Sequence, residues 1–360
     1  MPVKPGVMKS TLTIVVALVC FAGAAVGCGS NVADQQKAPQ EQRQQINGAG
    51  ATFPTPIYSK WFDEYNKLHP DVRINYQSVG SGAGIRQLVN QTVFFGATDG
   101  PMTDEQLSSA PGPILHLPAV LGAVVPVYKI QGVDAELKFS GPMLADIYLG
   151  RIKKWNDPVI AKLNPGVTLP NTDITVVHRS DGSGTTYIWV DYLAKVSPEW
   201  KMKVGVGTSP NWPVGVGGKG NEGVSGLVTQ SPGSIGYVEL IYAVQNKISY
   251  GQVQNANGEF VKASVESVTA AAAATAASMP ADFRVSITHA AGPGAYPISS
   301  FTWLLFYENP MDKAQAQAMV EFMKWALTDG QKYCADLGYA PLPASVIERE
   351  TAALAKIKVS

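Results

Sequence analysis

The segment His178-Arg179-Ser180-Asp181-Gly182-Ser183-Gly184-Thr185-Thr186 lies between a valine-rich run and a stretch of helical periodicity carrying Trp189 and Tyr192. Arg179 offers a rigid fork of donors for two oxyanion oxygens. Ser183, Gly184 and Thr185 add hydroxyls and main-chain N–H groups at the positive end of the expected helix. Together these groups form an anion cage. The same segment fails as a nucleophile elbow, because Asp181 occupies the first glycine position of G-x-S-x-G.

Three further segments share this character. Gly48-Ala49-Gly50-Ala51-Thr52-Phe53-Pro54 leads into an expected helix that Pro54 or Pro56 can open, since the first turn has no intrahelical use for an N–H. Alone it reads equally well as an ordinary glycine-rich turn. Gly80-Ser81-Gly82-Ala83-Gly84 lets main-chain N–H groups approach a ligand closely, and Ser81 is placed to cap and donate at once. Ile85 stands where a dinucleotide fingerprint needs its third glycine. Phe95-Gly96-Ala97-Thr98-Asp99-Gly100-Pro101 carries a carboxylate, which reads either as a cap for a helix around Asp104 and Leu107 or as an acceptor inside the anion site. Gly215 to Gly220 satisfies G-x-G-x-x-G, but the flanking proline and Lys-Gly-Asn argue against the strand-turn-helix frame that a nucleotide needs.

Short apolar runs alternating with helical patterns from Asn47 onward predict an α/β architecture with mostly parallel sheets. Strands are expected at 73–77, 119–128, 174–177, 234–238 and 301–307. Helices are expected at 56–67, 84–91 and 312–327, the last with Met319, Phe322, Met323 and Ala326 facing the core. The alanine run at 270–274 is expected to be a surface helix.

Lys4 and Lys9 precede an apolar run that ends in Ala25-Val26-Gly27, directly before Cys28. This is the pattern of a bacterial lipoprotein signal peptide over residues 1–27, with Cys28 lipid-modified as the new N-terminus. Residues 28–46 are Gln-rich with few large apolar side chains and read as a flexible tether. Acidic and basic residues balance at 28 each; without residues 1–27 the chain keeps 26 basic and 28 acidic residues. No basic field points to nucleic acid. Cys334 is the one cysteine left after Cys20 and Cys28, and its amphipathic surroundings predict a buried, inert thiol.

Gly-Ala-Gly-Ala-Thr-Phe-Pro, Gly-Ser-Gly, Phe-Gly-Ala-Thr-Asp and Arg-Ser-Asp-Gly-Ser-Gly-Thr, in this order and spacing, resemble the phosphate-binding component of Pst-type phosphate importers. The likeness extends through Asp146 to Trp155, Gly217 to Asn221 and Leu337 to Pro343. It implies a two-lobed type II periplasmic-binding-protein fold with two hinge crossings, near Val125-Pro126 and Tyr296-Pro297. Lobe I would hold 47–125 and 296–360, and lobe II 126–295. The implied ligand is inorganic phosphate, held by Thr52, Phe53, Ser81, Asp99, Arg179, Ser183, Gly184 and Thr185, with Asp181 orienting Arg179. No enzyme activity, metal or cofactor is implied. The four histidines are scattered without metal-ligand spacing. Implied partners are the membrane permease subunits and ATPase of an ABC importer and, through Cys28, the extracytoplasmic face of the cell membrane; the chain is expected to be a monomer. The alternatives are a receptor for another tetrahedral oxyanion and a surface signalling or interaction protein that has kept the fold.

Overall fold

The computed structural model describes residues 44–360. The expected signal peptide, Cys28 and most of the expected tether lie outside the described residues. Gln44, Gln45 and Ile46, expected in the tether, are the first residues of a strand, and Ile46 is buried.

Twelve strands are present among the described residues: β1 (Gln44–Gly50), β2 (Val72–Ser78), β3 (Phe95–Thr98), β4 (Ile114–Lys129), β5 (Lys138–Phe139), β6 (Thr175–Arg179), β7 (Val216–Gly218), β8 (Ser234–Glu239), β9 (Ser249–Tyr250), β10 (Gln252–Gln254), β11 (Phe260–Val261) and β12 (Ser299–Tyr307). The main sheet runs β2-β1-β3-β12-β4-β8-β6-β7, with β9 beside β4. Its pairing is mixed. β1–β2, β1–β3, β6–β8 and β6–β7 are parallel, whereas β12 is antiparallel to β3 and β4, and β4 is antiparallel to β8. The expectation of mostly parallel sheets fails at the centre, where the chain returns through β12 from a distant segment.

β4 holds the two lobes together. Its residues 114–123 pair with β12, and residues 124–129 pair with β8. From His116 to Tyr128 every residue is buried, so the run reads as continuously apolar. The second crossing lies against the first. Val124 N donates to Ile298 O at 2.9 Å, and Tyr296 OH donates to Val124 O at 3.0 Å.

Helices cover the sheet in both lobes. The helix Thr55–Leu68 buries Ile57, Tyr58, Trp61 and Tyr65, and Lys313–Leu327 buries Met319, Phe322, Met323 and Ala326 against it. Trp61 Nε1 reaches Gly330 O at 2.7 Å, so the indole is buried with its one donor satisfied. In the other lobe, Gly184–Val196 buries Ile188, Trp189, Tyr192 and Leu193, and Trp189 stacks on Tyr237 with ring centroids 5.0 Å apart. The alanine run belongs to the helix Val265–Thr275, which buries Val268, Ala271 and Ala272. It is therefore only half a surface helix, because alanine lets its inner side pack closely on the lobe. Among the described residues no helix is long and apolar enough to cross a membrane.

Candidate anion site between the lobes

All the glycine-hydroxyl segments end at the same place. Thr52 and Phe53 form the turn after β1, Ser81 opens the helix Ser81–Val89 after β2, and Asp99 follows β3. Arg179 ends β6, and Ser183 caps the helix Gly184–Val196 by accepting from Thr186 N at 3.0 Å. The expectation that Ser81 is itself a cap fails. Gly80 takes that position with φ +91°, a conformation that suits glycine, and frees Ser81 for another role.

That role is across the cleft. Ser81 Oγ accepts from Gly184 N at 3.0 Å and from Asp99 N at 3.3 Å. Gly82 N also donates to Gly182 O at 2.9 Å, so the two glycine-rich loops face each other with no side chain between them. Thr52, Phe53, Ser81, Asp99, Arg179, Ser183, Gly184 and Thr185 are all buried.

Arg179 and Asp181 form a two-pronged ion pair, with Nε–Oδ1 at 2.8 Å and Nη2–Oδ2 at 2.5 Å. This geometry leaves Nη1 to point elsewhere, and it lies 3.4 Å from Thr185 Oγ1. Burial would raise the Asp181 carboxyl, but the hydrogen bonds and charge of Arg179, with help from Gly220 N at 3.0 Å, hold it below the ordinary carboxylate value. The pairing fits the orienting role expected of Asp181.

Asp99 is 1% exposed, and its environment is different. Burial pushes its carboxyl up to about 7, against the opposing effects of a hydrogen bond from Thr302 and the charge of Arg179. Oδ1 accepts from Thr302 Oγ1 at 2.8 Å, whereas Oδ2 has no partner among the described residues. The helix Asp104–Ser108 is capped by Thr103 in a capping box with Gln106, so Asp99 is not needed as its cap.

Several groups at the site were not singled out from the sequence. Asn221, fully buried, reaches Thr52 Oγ1 and Thr185 Oγ1 through Nδ2 at 2.7 and 3.2 Å. Tyr242 OH donates to Thr52 O at 2.6 Å, and Tyr339 OH donates to Phe53 O at 2.6 Å. Glu239 is buried, its carboxyl pushed well up by desolvation, and its Oε2 accepts from Ile241 N at 2.8 Å. Asn221 and Tyr339 carried a sequence signal, as members of the Gly217–Asn221 and Leu337–Pro343 motifs; Tyr242 and Glu239 carried none.

The Gly215–Gly220 segment contains the strand β7 and passes through Lys219 into the helix Gly220–Gln230, so it does not follow a strand as the turn of a nucleotide fingerprint must. The start of that helix is already engaged by protein groups, since Gly220 N donates to Asp181 and Asn221 N to Thr52.

A family model described as the PBP superfamily domain matches residues 35–329. A phosphate-binding protein PstS of Xylella fastidiosa is 47% identical over 321 residues, covering 89% of this chain and 87% of its own. One of the same name from Methanocaldococcus jannaschii is 40% identical, covering 93% and 91%. Two solved structures share the fold at lower identity. A phosphate ABC transporter substrate-binding protein from Clostridium perfringens, with bound phosphate, has a TM-score of 0.62 at 18% identity over 83% of this chain and 100% of that one. A high-affinity periplasmic phosphate-binding protein solved with phosphate at pH 8.5 has a TM-score of 0.68 at 22% identity, covering 86% and 93%.

Proposed function

Because this chain belongs to the PBP superfamily and, within it, to the PstS phosphate-binding proteins, we propose that it captures inorganic phosphate between its lobes and delivers it to an ABC importer. The observation that carries this reading is the composition of the buried cage. A guanidinium, three hydroxyls and the N-terminal turn of a helix converge with one carboxyl whose second oxygen is unpartnered among the described residues. Thr52, Phe53, Ser81, Asp99, Arg179, Ser183, Gly184 and Thr185 are the proposed ligand residues, and Asp181 orients the guanidinium.

Asp99 supplies the selectivity. A phosphate oxygen that still bears a proton donates it to Oδ2 of the ionised carboxylate, while sulfate brings no proton and meets that carboxylate bare. The protein is a carrier in this reading, because binding and release are all that the geometry asks of its groups. Lobe I comprises 47–125 and 296–360, lobe II 126–295, and closure turns about the adjacent crossings at Val125-Pro126 and Tyr296-Pro297. The site lies outside the cytoplasm, held to the membrane by lipid on Cys28 and served by permease and ATPase subunits.

Calorimetric titration of the wild-type chain and of Asp99→Asn with phosphate and with sulfate tests the proposal. Wild type should bind phosphate and discriminate strongly against sulfate, and Asp99→Asn should keep its fold while the preference narrows. An unchanged preference in the variant would remove Asp99 from the mechanism.

A further inference from the structure

Asn221 holds a position that no ligand residue occupies, because one nitrogen of its side chain reaches a proposed ligand residue in each lobe. Its amide orientation is fixed by chemistry. Glu239 N, which can only donate, meets Oδ1 at 3.0 Å, so Nδ2 must face Thr52 Oγ1 and Thr185 Oγ1.

This orientation decides where the hydroxyl protons go. A hydroxyl has two acceptor lone pairs and one proton to give. Thr52 Oγ1 accepts from Asn221 Nδ2 at 2.7 Å and from Asn221 N at 3.2 Å, both obligate donors. Thr185 Oγ1 accepts from Asn221 Nδ2 at 3.2 Å and from Arg179 Nη1 at 3.4 Å, again both obligate donors. Ser81 Oγ repeats the pattern with Gly184 N and Asp99 N. Each of the three hydroxyls thus has its acceptor capacity used, and none donates to a protein acceptor among the described residues. Each proton is left for a third partner.

We infer that Asn221 is a positioning residue that commits the Thr52 and Thr185 hydroxyls to donation, so that the cage matches an oxyanion with unprotonated oxygens at those two positions. The inference rests on the proposed phosphate site and adds a selecting element that touches no ligand atom. Protonated oxygen would find donors at both threonines and an acceptor only at Asp99, so the ligand's single proton also fixes which way round it sits.

The test is a mutant cycle on the full extracytoplasmic chain, read by calorimetry with inorganic phosphate. Asn221→Asp keeps the shape and the acceptor for Glu239 N but replaces the two-donor amide with an acceptor, toward which the threonine protons turn. Asn221→Ala removes the amide altogether. Affinity should fall about 10-fold in Asn221→Ala and about 100-fold or more in Asn221→Asp, with thermal unfolding of the ligand-free proteins showing that each is folded. In a Thr52→Val background the same substitutions should cost at least about fivefold less, because one of the hydroxyls they act through is gone. Equal losses in both backgrounds would assign the effect to packing or to charge and overturn the inference, as would wild-type affinity in Asn221→Asp. If one of the two variants does not fold, the other completes the cycle. Failure of the wild-type chain to bind phosphate would instead overturn the proposed function.

Discussion

A methyl group at Gly184 should sharply weaken phosphate binding while slightly stabilising the ligand-free protein. A Cβ built at Gly184 would lie 2.5 Å from Ser81 Oγ, 2.6 Å from Asp99 Cβ and 2.6 Å from Asp99 N. Ordinary contacts begin near 3.5 Å, so the shortfall is about 1 Å, and a main-chain nitrogen cannot rotate out of the way. In the proposed division the opposing groups belong to the other lobe, so the clash exists only when the lobes are closed. Moving them apart by about 1 Å stretches the 3.0 Å Gly184–Ser81 bond beyond hydrogen-bonding range. Two bonds to a charged ligand lost in this way, at about 1.5–3 kcal/mol each, weaken binding by roughly 3–6 kcal/mol, or about 10²- to 10⁴-fold. In the open form the methyl group sits in the first turn of a helix, where alanine is favoured over glycine by up to about 1 kcal/mol. Binding and ligand-free stability should therefore move in opposite directions. Gly226→Ala is the control, since nothing lies within 4 Å of its added Cβ. Isothermal titration with phosphate and thermal unfolding without it give both quantities. Affinity within threefold of wild type in Gly184→Ala would refute the closed cage as the binding form.

Two further outcomes follow from buried ionisable groups. Burial raises Asp99 to about 7, so its carboxylate gains a proton as pH falls through that value. The barrier to sulfate should weaken accordingly, and the phosphate-over-sulfate preference measured from pH 8.5 to 5.5 should narrow toward acid more steeply in wild type than in Asp99→Asn, where only the phosphate's own ionisation still changes. Cys334 is fully buried with its thiol pushed up to about 12, so in a chain lacking residues 1–28 a thiol reagent should label it only on unfolding.

The sequence exposed those parts of the site whose signal is local. Glycine, hydroxyl and charge within a few residues mark a loop leading into a helix, and the Arg179–Asp181 pair joins residues two apart. The strand and helix expectations held for the same reason, with boundaries shifting by a few residues. β4 is the largest shift, because Ile114 to Pro118 carries a histidine and a proline that interrupt the apolar run. What stayed hidden is non-local. Asn221 meets Thr52 across 169 residues, Tyr242 across 190, and Thr302 reaches Asp99 across 203. Asn, Tyr and Thr are ordinary residues in ordinary surroundings until the fold aims them. The antiparallel centre of the sheet was concealed likewise, since β12 looks the same in sequence whichever way it runs.

β4 also serves as a common ruler for the two halves of the cage. Asp99 takes its place from β3, which is registered on β12 and so on the first part of β4; Arg179 takes its place from β6, registered on β8 and so on the last part. Deleting one residue from the middle of β4 would shift one set against the other by about 3.3 Å and turn one segment's side chains to the opposite face. The length of this single strand is thus as binding a specification of the anion site as the identity of any side chain in it.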